Sequence, residues 1–232
     1  KNGCNPDLIF TNYVFERLDL GKQHVENFIN KKFPKDRIFT WNETKKLEVQ
    51  QFLMMHMFVY KLNIIKESKL VLPEKTFYVD TLYAYQPLKY VKTLQYLDVD
   101  FYRYYVGRPN QSVTLNNMSK NYYMQLRVMK ELSYAYTLEQ LKALDKHHYK
   151  YMMHDLIVKS YLTFFYVYIR HDKQKIKEYK EYFKEFKSKN RKLYKKLRYG
   201  TYFFFVSLLI KPLKILAVKI GYKQLIKKNN WN

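Results

Sequence analysis

KTFYVDTLYAYQPLKYVKTLQYLDVDFYRYYVGRPNQSV, Lys75–Val113, decides how this chain is read. It sets one carboxylate, Asp80, among apolar neighbours: Phe77, Tyr78 and Val79 before it, Leu82, Tyr83 and Tyr85 after it. A solvated loop has no use for those rings, and a buried strand has no use for the aspartate. Partial desolvation raises a carboxylate's basicity, so Asp80 is a candidate general base toward a hydroxyl. It equally suits the N-cap of a helix over Thr81–Leu88. Farther on, Arg108-Pro-Asn-Gln-Ser112 follows Gly107. Its guanidinium, amide and hydroxyl suit diphosphate oxygens; they also suit a plain polar turn.

Working outward, Lys92–Tyr105 alternates as a strand, and DLIFTNYVFERL (Asp7–Leu18) reads as a buried one. FLMMHMFVY (Phe52–Tyr60) is almost wholly apolar and reads as a buried segment. Thr40 or Asn42 with Glu43 predicts a helix starting near Glu43. Ile64–Leu72 is a short helix or turn. Past Val113 the texture turns helical: Asn116 or Asn117 to Ala135, Thr137–Leu144, Asp145–Arg170 and Lys173–Lys189. In the third of these Tyr149, Met152, Met153, Leu156, Ile157, Tyr161, Phe164, Phe165 and Tyr168 form one apolar stripe. The expected class is α/β to residue 115, then all-helical. The expected parts are 1–115, a helical 116–200 and a basic amphipathic 201–232.

With 47% hydrophobic residues among 232, the chain has material for a core, and global disorder is excluded. Five Gly and six Pro are few for an all-β sandwich. The single cysteine, Cys4, rules out an internal disulfide and a cysteine-based metal site. The net charge is +23, and Asp172–Asn232 alone carries 18 Lys/Arg against 4 Asp/Glu. Such a concentration wants a polyanion: nucleic acid or an anionic membrane surface. Tyr202–Ile210 is apolar but too short to span a bilayer, and Lys211 and Lys214 interrupt its extension. A helix lying in the interface fits it, as does a helix packed on the core.

Other chemistry is thinner. His147, His148 and His154 share a helix, but no third ligand type stands near, so packed or solvated rings are the better reading. Asp98-Val-Asp100 places two carboxylates on one strand face, a weak match to a metal–nucleotide pair. No Gly-rich phosphate loop, nucleophile elbow, kinase set or helix-turn-helix is present in the sequence.

Taken together, Lys75–Val113 with the upstream DLIFTNYVFE, IFTW and LMMHMFVYK and the closing IGYKQLIKK resembles the bacterial family 2 glycosyltransferases. The resemblance implies an incomplete GT-A fold, a Rossmann-like mixed sheet flanked by helices. It implies inverting transfer of a sugar from a nucleotide-diphospho-sugar to a hydroxyl acceptor, in cell-surface polysaccharide or teichoic-type polymer synthesis. Asp80 would be the general base. Arg103, Arg108, Gln111 and Ser112 would lie near the donor diphosphate, and His56 and Tyr78 at the acceptor. A divalent metal, Mn²⁺ or Mg²⁺, is expected, with its main ligands in a nucleotide-binding half that this chain lacks. By that comparison the chain is a fragment, inactive alone. Its partners would be the sugar nucleotide, a polysaccharide or lipid-linked acceptor, and the anionic inner face of the cell membrane, with no specific nucleic acid. The expected location is cytoplasmic and peripheral. The alternative is a non-catalytic basic binding module: a degenerate transferase, a scaffold or an RNA-binding protein.

Overall fold

The computed structural model describes residues 5–17, 20–48, 51, 53–107, 115–168 and 172–199. Five strands form one mixed sheet: β1 (Leu8–Arg17), β2 (Lys22–Glu26), β3 (Ile38–Thr40), β4 (Phe58–Tyr60) and β5 (Thr93–Val106). Helices α1 (Leu62–Ser68) and α2 (Asp80–Tyr85) lie between β4 and β5, and α3 (Leu115–Lys120), α4 (Tyr122–Ala135), α5 (Leu138–Lys142), α6 (Lys146–Tyr168), α7 (Lys173–Lys189) and α8 (Arg191–Tyr199) follow. The fold is mixed α/β with both parallel and antiparallel strand pairs.

β1 is the hub, and its β-branched and aromatic residues suit a pleat buried on both faces. Leu8, Phe10, Tyr13 and Val14 are all buried. One edge pairs antiparallel with β4 through Leu8–Phe10 and with β2 through Tyr13–Arg17. The other edge pairs parallel with β5. Asp7 sets that register: its Oδ2 accepts the amides of Lys92 (2.9 Å) and Thr93 (3.0 Å). β3 pairs antiparallel with the start of β5. Partway along, β5 bulges. Phe10 faces Tyr96 while Asn12 faces Asp100, so β5 spends four residues where β1 spends two.

The predicted α-helix at Glu43 is a single 3-10 turn, Trp41–Glu43. The Thr40 amide does donate to Glu43 Oε1 (3.0 Å), as the capping pattern asks. The helix stops because its carbonyls are claimed from outside. His147 Nδ1 bonds the Thr44 carbonyl at 2.8 Å, and Tyr151 donates its hydroxyl to the Lys45 carbonyl. Asp80 does not cap α2 but is its first residue, with Val79 at the cap, where its charge complements the helix dipole.

The chain divides into two compact units, and not at one point. The first comprises residues 1–114 and 139–155, the second 115–138 and 156–232. α5 and the first part of α6 therefore count with the sheet unit, a return that a linear split at residue 115 does not contain. In the second unit, Tyr179, Tyr182 and Phe186 of α7 pack with Phe164, Tyr168 and Tyr194. Ser133 and Tyr182 share a 2.5 Å hydrogen bond, and Asn190 donates to the carbonyls of Ser133 and Tyr136 where α7 ends. Asp172 caps α7 by accepting the amides of Gln174 (2.9 Å) and Lys175 (3.3 Å). The α6 stripe is wider than its sequence pattern: Tyr151, Met152, Met153, Asp155, Leu156, Val158 and Lys159 are all buried, so more than one face is covered. No described helix is long and apolar enough to cross a membrane. The amphipathic segment 201–232 lies outside the described residues.

Candidate functional site on the two faces of the sheet

Alternation along β1 and β5 gives each face of the sheet its own chemistry. Tyr13 and Phe15 of β1 lie beside Tyr102 and Tyr104 of β5 on one face. His56, in the 3-10 turn Met55–Met57, lands on these rings. It stacks on Tyr102 at 4.7 Å between ring centres and an 8° interplanar angle, lies 4.4 Å from Tyr104, and meets Tyr13 edge-on at 5.4 Å. His56 is buried, while Tyr102 keeps 38% of its surface, so the wall of rings is open on the β5 side.

The same turn packs against α2. Tyr60 of β4 fastens that helix by donating to the Ala84 carbonyl (2.9 Å), with its ring edge-on to Tyr83. Asp80 is half-buried at the helix start. Tyr78, two residues before it, sits at φ 68°, the left-handed region that a bulky L-residue rarely enters. Such strain persists only where the surroundings over-determine it, and it concentrates at functional sites. Burial first, and then the Asp80 charge, push the Tyr78 phenol up to about 12. Asp80 and Tyr78 thus adjoin at the start of α2, the helix that packs on the turn carrying His56.

The opposite face carries a polar cluster beside the buried Phe10 and Val14. Asn12 and Glu16 are buried on it despite their chemistry. Asn12 Nδ2 donates to Asp98 Oδ1 (2.9 Å) and Asp100 Oδ1 (3.2 Å), and Tyr96 donates to Asn12 Oδ1 (2.8 Å). Asn30 and Lys35 both reach Asp98 Oδ2 at 2.8 Å. Lys35 first, then Asn12 and Tyr96, hold the Asp98 carboxyl down to about 2. Beyond them Glu16 is ion-paired with Arg103 and accepts from Gln23. The bulge brings Asp98 and Asp100 together over Asn12.

Arg103 therefore stands on the face away from His56, committed to Glu16. Arg108, Gln111 and Ser112 lie outside the described residues. Tyr13, Tyr102 and Tyr104, like Asn12, Glu16, Asn30 and Lys35, were not singled out in the sequence. Asn12 and Glu16 did carry a signal: two polar residues four apart in an apolar strand share one face.

The described residues offer no ready metal site. Both Asp98 oxygens already accept hydrogen bonds, one of them from an ammonium. Each of the three α6 histidines donates one ring nitrogen to a carbonyl: His147 to Thr44, His148 to Leu88 (2.8 Å) and His154 to Gln51 (2.6 Å). No group of three metal-ligating side chains occurs among the described residues. No protein-family model, curated protein or solved structure matches this chain.

Proposed function

We propose that the chain carries the acceptor side of an inverting glycosyltransferase acting on a nucleotide-diphospho-sugar. The observation that supports this most is the setting of Asp80: a half-buried carboxylate in the first turn of α2, two residues after the strained Tyr78. An acceptor hydroxyl beside Asp80 gives its proton to the carboxylate. The oxygen forms a bond to the anomeric carbon, the bond from that carbon to the diphosphate breaks, and the nucleoside diphosphate leaves with the electron pair. Tyr78 and the ring wall around His56 offer apolar faces on which a sugar can lie. Arg108, Gln111 and Ser112 are proposed for the departing diphosphate. The divalent ion expected from the resemblance has no seat among the described residues, and no step is assigned to it. Arg103 is ion-paired with Glu16, and its half-exposed guanidinium is proposed for the donor only in second place. The products are surface polysaccharide or teichoic-type polymer, made at the inner membrane face.

The test is nucleotide release from a panel of UDP- and GDP-sugars with Mn²⁺ and membrane extract, by the full-length protein beside Asp80→Asn. Release with one donor that falls in the variant by about a hundredfold or more is the expected result. Release that survives Asp80→Asn removes the base. Silence with every donor moves the assignment to the second reading, a basic binding module, which the charge of Asp172–Asn232 favours.

A further inference from the structure

α7 carries Lys173, Lys177, Lys180, Lys184 and Lys187 at spacings of 4, 3, 4 and 3 residues, which is one stripe of a helix. All five are exposed. The stripe runs about 21 Å along the axis. None of the five makes an ion pair or a hydrogen bond among the described residues. The carboxylates of the helix are engaged elsewhere: Glu178 accepts from Tyr122 and Gln174, and Glu185 binds Lys130 and Lys189. Glu181 is exposed beside the row, and Asp172 at the N-cap accepts the amides of Gln174 and Lys175. Tyr179, Tyr182 and Phe186 hold the opposite side in the core. A straight row of like charges without counter-ions raises self-repulsion that an anionic surface relieves.

We propose that this lysine row docks the protein on an anionic lipid bilayer. The proposal rests on the membrane-face part of the reading above and names the residues that make the contact. Three features favour lipid over nucleic acid. The row is lysine throughout, point charges without the planar fork that reads phosphates bidentately. It presents no ring for base stacking, because three of the aromatics of α7 are buried and Phe183 is turned against Tyr179 and Tyr182. And in the sequence the apolar run Tyr202–Ile210 comes three residues after α8, a composition that would suit the second, apolar signal stable anchoring needs.

The experiment is co-sedimentation of the full chain with vesicles of phosphatidylcholine alone and with phosphatidylglycerol added. Wild type is compared with Lys177→Gln/Lys180→Gln/Lys184→Gln and with Lys46→Gln/Lys66→Gln/Lys142→Gln, which removes the same charge from exposed positions elsewhere. The expected loss is about fivefold per row lysine, about a hundredfold for the triple, with the control near wild type. Circular dichroism checks that both variants remain folded; exposed glutamines on a helix are tolerated. Equal loss in both variants overturns the row in favour of net charge. Binding by wild type with no loss in the row variant overturns the row and leaves the membrane reading standing. No binding by wild type overturns both. Row-dependent binding to a duplex RNA of equal strength overturns the choice of lipid.

Discussion

Asp80 and His148 show how differently two titratable residues are used. Asp80 is half-buried and set at the start of a helix, where deleting its charge costs little packing. Asp80→Asn should abolish transfer while leaving the thermal midpoint within a few degrees of wild type. A calorimetric scan beside the nucleotide-release assay checks this. His148 is structural. It stacks on Trp41 at 4.3 Å between ring centres, bonds the Leu88 carbonyl, and is pulled down to about 4, chiefly by burial. Its folded value lies below the ordinary histidine range, so the unfolded chain binds the proton more readily in between. Its contribution is intact above pH 6.5 and is lost as pH falls toward 4. The loss should be on the order of 3 kcal/mol. Urea unfolding across that window should show it, and His148→Phe should flatten the curve.

Elements answer to pattern where one periodicity dominates. β5 was legible from its alternation, β1 from its near-continuous β-rich apolar run, and α7 from its basic and aromatic stripes. α8 falls inside the expected helical 116–200 but was not drawn as a helix of its own: nine residues with five cations look solvated until Leu193 and Leu197 are seen buried. The helix expected at Glu43 failed for the opposite reason, since its local signal was correct and side chains from α6 outbid it. The pairing across the sheet gives a direct test of Arg103. Arg103→Ala leaves the buried Glu16 carboxylate without its cation and should cost about 2 kcal/mol, below the roughly 3–5 of a wholly buried pair because the guanidinium is half-exposed. Glu16→Gln with Arg103→Ala should recover part of it. A donor-site role would instead raise the KM for the sugar nucleotide at unchanged stability. On α7, Asp172→Ala removes two capping hydrogen bonds and should cost about 1 kcal/mol in chemical denaturation, at constant slope.

At the scale of the molecule, charge is the property most easily tested. If lysines carry the membrane contact, binding to anionic vesicles should fall steeply between ~0.1 and ~1 M salt, as the screening length drops from about 10 to about 3 Å. A hydrophobic anchor alone would hold. The mixed α/β class, strands β1 and β5 and the cationic end were determined by the sequence itself, because each rests on residue type and local pattern. The burial of His56 among three tyrosines, the commitment of Arg103 to Glu16, the bulge that gathers Asp98 and Asp100 over Asn12, and the return of residues 139–155 to the sheet unit were decided only in three dimensions. Each joins residues far apart in the chain through a register or a packing choice, and no local period encodes those.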